Sequence, residues 1–192
     1  TDDYKTPILD SLARNGINFT NAYSQPLCTP TRVKIMTGKP NYINYEYFTY
    51  LNPNQKTFGN LFQENGYKTT IVGKWQLNGI YSKEERYTDP SKVNEFGFDE
   101  YCLWQVTLGK RQGGERFWQP LVEQNGKKIK NEEKGRYGPD IFTEYICDFM
   151  ERSKDKPFFV YLPYNTPHSP MQVPDKYWDR FKDKKLLSSK IF

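Results

Sequence analysis

The chain has 192 residues, of which 36% are hydrophobic and 17% aromatic, with 15 tyrosines and 13 phenylalanines. That is more ring surface than a disordered tail carries, and the length suits one domain or one part of a larger one. Lysine and arginine outnumber aspartate and glutamate by 28 to 23, a net charge of +5; the positive charges are scattered, so the excess suits an anionic substrate without pointing to nucleic acid. No apolar run reaches the ~18 residues that a membrane helix needs, and no charged-then-apolar leader is present.

The predicted elements follow in chain order. Thr6-Pro7, the apolar positions Ile8, Leu9, Leu12 and Ala13, and then Asn15-Gly16 read as a complete short helix, with a proline in its first turn and a glycine stop. Residues 17–23 alternate apolar and polar and predict a strand running into the Gln25-Pro26-Leu27-Cys28 turn. After Pro30 a helix is expected over 31–37, ended by Gly38, which places Cys28 at a helix N-terminus.

Thr57 caps a further helix through Phe58, Leu61 and Phe62 to Gly66, followed by a strand over 68–72 that leads into "GKWQLNG". Residues 80 to about 130 are rich in Gly, Lys, Arg and Trp without periodicity; they predict an excursion over one end of the sheet, with a hairpin turn at Asn125-Gly126. A last helix over 140–150 and a buried strand over 157–162 enter "PYNTPHSP". Helix alternating with strand predicts an α/β fold with a largely parallel sheet.

Each strand of that reading is followed at its carboxyl end by a distinctive side chain: Cys28 and Arg32 after the first, Lys74 after the second, and His168, the one histidine of the chain, after the third. Ligands of open α/β sheets bind in that crevice, and a thiol, an arginine and a lysine around a helix N-terminus describe an anion site. Cys28, Cys102 and Cys147 are odd in number and lack a zinc-like spacing, so Cys102 and Cys147 are expected as small core residues. Asn18-Phe19-Thr20 matches a glycosylation sequon.

The segment "TPILDSLARNGINFTNAYSQPLCTPTR" resembles the start of a type I sulfatase, whose Cys-x-Pro-x-Arg signature marks a cysteine converted to formylglycine. "GYKTTIVGKWQLNG" and "PFFVYLPYNTPHSPMQVP" are similar to two further blocks of that family in the same order. The resemblance implies an alkaline-phosphatase-like α/β fold, with residues 1–192 as an N-terminal portion of the catalytic domain. The first strand and the C-terminal part are then expected outside this sequence, and so is the chain's own start, since it does not begin with Met.

By the same resemblance Cys28 is the formylglycine precursor, Arg32 holds the resulting diol and its metal-bound oxygen, Lys74 bridges the diol and a sulfate oxygen, and His168 faces the leaving-group oxygen. Gln76 stands where the family commonly has histidine and is expected to donate a hydrogen bond to sulfate without relaying a proton. A divalent cation, calcium by resemblance, is expected on the modified Cys28, with its remaining ligands outside this sequence; Asp2-Asp3 is read as loop rather than as the family's aspartate pair. The implied partners are a sulfate-ester small molecule or sulfated glycan and a formylglycine-generating enzyme. The implied location is periplasmic, extracellular or lysosomal.

Other readings stay open. Cysteine-dependent phosphatases also join a thiol to an arginine at a helix N-terminus, but with a longer spacer than the three residues here. A thiol hydrolase pairing Cys28 with His168 lacks an orienting third group. A formylglycine enzyme acting on phosphate or phosphonate esters, and a non-catalytic binder of sulfated ligands, are compatible with the same residues. Trp104, Arg111, Arg116 and Trp118 suit a sulfated sugar by stacking and charge and equally suit packing.

Overall fold

The computed structural model describes residues 5–82, 87–107, 116–130 and 135–183. The chain divides into two compact units, Leu27–Val173 and a smaller one made of Thr1–Pro26 with Pro174–Phe192. The larger unit holds a five-stranded sheet of order β4-β3-β2-β1-β5, with β1 Lys68–Lys74, β2 Glu100–Trp104, β3 Leu121–Gln124, β4 Lys127–Lys130 and β5 Phe158–Tyr161. The three strands β2, β1 and β5 run parallel, with Lys74 opposite Trp104 and Ile71 opposite Tyr161, while β3 and β4 are antiparallel.

Alternation along β1 and β2 sends side chains to two different cores. On one face Ile71, Trp75, Tyr101 and Leu103 pack with Val33 and Met36 of α2 (Cys28–Thr37), with Leu51, and with Phe58 of α4 (Phe58–Glu64). On the other face Val72, Cys102, Trp104 and Val122 pack with Phe142 and Ile146 of α6 (Gly138–Ser153). Two short helices, α3 (Asn41–Asn44) and α5 (Lys92–Glu95), complete this unit. Helices on both faces of a mostly parallel open sheet make the α/β arrangement expected from the sequence.

Local chemistry explains the helix ends. The Thr57 hydroxyl accepts from the amides of Gly59 and Asn60 while the Asn60 side chain accepts from the Thr57 amide, a reciprocal cap on α4. Gly38 ends α2 in the left-handed region at φ 65°. The hairpin between β3 and β4 turns on Asn125 at φ 47° and Gly126 at φ 83°, the two positive values that a type I′ turn requires.

In the smaller unit α1 (Pro7–Asn15) forms as read, with the Thr6 hydroxyl donating to Asp10 at 2.8 Å, and α7 (Asp175–Trp178) follows Pro174. Among the described residues no helix is long and apolar enough to cross a membrane.

Several expectations are corrected. Residues 17–23 are not a strand: Ile17, Phe19 and Tyr23 are 82%, 77% and 87% exposed, and they pair with no described strand. Alternation makes a segment compatible with a sheet, but a ladder partner makes it a strand. Residues 80–130 are not an excursion over one end; they supply β2, β3 and β4, three of the five strands. β5 is half-buried rather than buried, because it is the outer strand beyond β1. Cys102 is buried as expected, and burial pushes its thiol up to about 12, but Cys147 on α6 is exposed. Asp2-Asp3 and Arg111 lie outside the described residues.

Candidate functional site

Cys28 opens α2, and Arg32 follows one turn later on the same side of the helix. The preceding residue, Leu27, offers no side-chain cap, so the positive end of α2 stays directed at position 28. Arg32 is 8% exposed and reaches across to the end of β1, where its Nη2 donates to the Lys74 carbonyl at 2.7 Å and its Nη1 donates to the Trp75 carbonyl. Its Nε has no hydrogen-bond partner. Burial pushes the guanidinium below its ordinary value, opposed by the Tyr161 hydroxyl and the Cys28 sulfur.

Lys74 is the last residue of β1 and is 7% exposed. Its amide donates to the Pro163 carbonyl at 2.7 Å, and the next amide, Trp75, donates to the Trp104 carbonyl at 3.0 Å, so the ladder continues past both neighbouring strands. Gly73 at φ 126° permits this, since a Cβ there would run into the Pro163 carbonyl. Burial is the main cause that lowers the Lys74 ammonium from its ordinary value; the cations Arg32 and Arg116 push the same way, and a hydrogen bond with the Cys28 side chain opposes them.

Beyond β5 the chain turns through Pro163 to His168, which brings Tyr164, Asn165, Thr166, Pro167 and His168 to the cleft that Cys28 also lines. Cys28, Arg32, Lys74 and His168 thereby line one cleft of about 440 Å³, together with Tyr161 and Asn165. Asn165 is 2% exposed and its Oδ1 has no partner. His168 is exposed, and the Arg116 guanidinium meets its Nδ1. The described lining contains no carboxylate, and no described acidic side chain pairs with Arg32, Lys74 or Arg116. Concentrated, desolvated positive charge beside a potential nucleophile is suited to a tetrahedral anion.

Four of the five site residues named from sequence therefore meet. Gln76 does not line the cleft: it is 6% exposed, its Nε2 donates to the Gln105 Oε1, and its backbone amide donates to the Gln105 carbonyl at 3.1 Å. Trp104 is 1% exposed and Trp118 packs on Tyr137 with ring centroids 5.2 Å apart, so both belong to packing. Sequence reasoning missed Tyr161 and Asn165, which carry no charge signal, and Gln105, which follows the unrecognised strand β2. Among the described residues no group of three or more His, Cys, Asp or Glu is placed to hold a metal. Beside its cations the described lining offers a thiol, hydroxyls, one amide and one imidazole but no carboxylate, so these residues alone do not fit a hard divalent cation such as calcium.

The sulfatase family profile matches residues 2–188, and the chain belongs to that family. It is 31% identical over 189 residues to an ulvan-active sulfatase of Formosa agariphila, covering 95% of this chain and 35% of that protein. It is 34% identical over 168 residues to an N-acetylglucosamine-6-O-sulfatase of Bacteroides thetaiotaomicron, covering 85% and 26%, and 29% identical over 194 residues to arylsulfatase J of Mus musculus, covering 94% and 31%. Among solved structures it is similar to BT4656 in complex with its substrate D-glucosamine-2-N,6-O-disulfate, with TM-score 0.73, 30% identity and coverage of 96% of this chain and 34% of that one. The fold is thus alkaline-phosphatase-like. The chain spans about a third of the length of the curated relatives it matches.

Proposed function

We propose that the protein is a sulfuric ester hydrolase whose nucleophile derives from Cys28. The observation that carries the reading is the convergence of Cys28, Arg32, Lys74 and His168 on one cleft, its described lining free of carboxylates, at the carboxyl ends of β1 and β5. Oxidised to formylglycine by a modifying enzyme, residue 28 supplies a hydrated aldehyde, an oxygen nucleophile with a second hydroxyl for releasing sulfate.

Each remaining role belongs to a residue of this chain. The positive end of α2 and the Lys74 ammonium draw sulfate oxygens toward position 28. Arg32 ties α2 to the end of β1 through two backbone carbonyls and adds its charge from behind. His168, lining the same cleft, presents a ring nitrogen to the oxygen that leaves. Gln76, outside the cleft lining, spends one amide hydrogen on Gln105, so only its second hydrogen is left to reach sulfate. The family resemblance implies a divalent cation; because the described residues do not fit one, no step is routed through it.

A sulfated sugar is the substrate class that the named relatives favour. The same resemblance suggests a periplasmic, extracellular or lysosomal site of action. The test is turnover by the full-length protein of an aryl sulfate against the matching phosphate ester, with mass spectrometry of the peptide spanning Leu27 to Arg32. Preferred sulfate release with an aldehyde at position 28 is the expected result. Phosphate preference moves the protein to the phosphoester branch, and full activity with an unmodified Cys28 replaces the formylglycine nucleophile with a thiol. A second reading, a non-catalytic binder of sulfated ligands, is favoured by the engagement of Gln76 with Gln105; sulfate affinity without turnover identifies it.

A further inference from the structure

We infer that Arg116 is a positioning residue that holds the His168 ring in the tautomer with its hydrogen on Nε2. Its Nη1 touches His168 Nδ1 and donates to the Ser169 carbonyl. A guanidinium has only hydrogens to offer, so its contact with Nδ1 is a hydrogen bond only when that nitrogen is bare. The hydrogen of the neutral ring then lies on Nε2, the nitrogen that Arg116 leaves free.

A rival contact makes the inference sharp. His168 Nδ1 also lies 2.8 Å from the Ser169 carbonyl, which would accept from an Nδ1–H. One nitrogen cannot donate to that carbonyl and accept from Arg116 with the same hydrogen position. While Arg116 supplies a hydrogen to both, the Nε2–H form satisfies all three groups; with the guanidinium gone, the Nδ1–H form bonded to Ser169 is the one that gains a partner.

Arg116 is itself held from several sides. Its guanidinium lies 5.1 Å from the Trp104 ring and 5.9 Å from the Phe117 ring. Its carbonyl accepts from Asn165 Nδ2 at 3.4 Å, and the Asn165 carbonyl in turn accepts from the His168 amide at 3.2 Å. Backbone and side chain therefore close a ring that joins Arg116 to His168 twice.

The consequence for catalysis rests on the sulfatase reading: an Nε2–H offers a hydrogen to a sulfate or leaving-group oxygen, whereas a bare Nε2 turns a lone pair toward it. Arg116 acts through His168 rather than on the substrate.

The test is a long-range proton–nitrogen correlation spectrum of the full-length protein at about pH 9, where an unperturbed imidazole is neutral. The ring is assigned by its loss in His168→Gln. The expected wild-type pattern is Nε2–H, moving toward Nδ1–H in Arg116→Ala and largely restored in Arg116→Lys, which keeps a donor. A wild-type Nδ1–H pattern, or one unchanged in Arg116→Ala, overturns the inference. In turnover, Arg116→Ala is expected to lower kcat by roughly tenfold or more with little change in KM, and to have no further effect on a His168→Gln background. Additive losses with a raised KM would make Arg116 a direct substrate contact and overturn its positioning role. If the wild type hydrolyses no sulfate ester, the proposed function fails while the spectrum still decides the role of Arg116.

Discussion

The sheet carries a charged cleft at each end, and the two are built on opposite plans. At the amino ends of its strands Lys68, Glu100, Arg152, Asp155 and Lys156 line a space of about 230 Å³. There Arg152 grips Glu100 through two nitrogens at 2.9 and 3.1 Å and Asp148 at 2.7 Å, and these bonds raise its guanidinium above the ordinary value. At the carboxyl ends Arg32, Lys74 and Arg116 are all lowered by burial and face no described carboxylate. Both ends carry cations; the carboxylates that pair with them at the amino ends make the difference. A cation stabilised by its neighbours is complete, whereas a desolvated cation without a counter-ion gains from any anion that enters.

The largest expected contrast is in turnover. In the full-length protein Cys28→Ala should reduce sulfate-ester hydrolysis to background while leaving the melting temperature nearly unchanged, because Cys28 is only half-buried at the first turn of α2. Arg152→Ala, at the other end, should leave turnover at the wild-type level; a comparable loss there would erase the distinction between the two clefts.

Stability gives the next contrast. Arg32→Ala leaves the carbonyls of Lys74 and Trp75 without their buried donor and should cost about 2–4 kcal/mol in chemical denaturation. Arg152 is 45% exposed, and its removal should cost no more than about 1 kcal/mol. Equal costs would show that Arg32 is not the tie between α2 and β1.

Proton linkage gives a finer one. Lys74 loses its proton at lower pH than an ordinary lysine, so affinity for inorganic sulfate should fall as pH rises toward the ordinary value of 10.5 and begin to fall before reaching it. Within that window sulfate binding should take up protons, since the anion favours the charged ammonium; calorimetry in two buffers of different ionisation enthalpy reads this directly. Lys74→Met should abolish the uptake. Proton release on binding would reverse the assignment.

The smallest expected effect is at Gln76. Gln76→His breaks the amide bond to Gln105 inside a buried site at φ 47° and should lower stability by roughly 1–2 kcal/mol, with a smaller change in sulfate affinity than Lys74→Met gives. A larger loss of affinity than of stability would bring Gln76 back into contact with the anion.

The sequence carried the site further than it carried the sheet. Cys28, Arg32, Lys74 and His168 were legible because each is a chemically conspicuous side chain at an element boundary, and boundaries are marked by Pro, Gly and capping residues. Strand β2 was not legible: "EYCLW" sits on both faces of the sheet at once, so Tyr101 and Leu103 fill one core while Cys102 and Trp104 fill the other, and burial on both sides removes the alternation that marks a strand. Residues 17–23 failed in the opposite direction, with clean alternation and no ladder to join. The role of Arg116 depends on a contact 52 residues away in sequence, and no local pattern encodes it.

The close approach of Gly73 to the Pro163 carbonyl has a consequence for how this scaffold can diversify. Because no side chain separates β1 from the segment that follows β5, the backbone on both sides of the cleft is set by contact of main chain with main chain, and the spacing between Lys74 and that segment does not depend on which residues follow Pro163. On the proposed reading, Tyr164 and Thr166 are therefore free to be exchanged for side chains that fit another alcohol, while Lys74, Asn165 and His168 stay where they are. Replacement of Gly73 by alanine would widen that spacing, and with it the one dimension that every substrate of the site has to share.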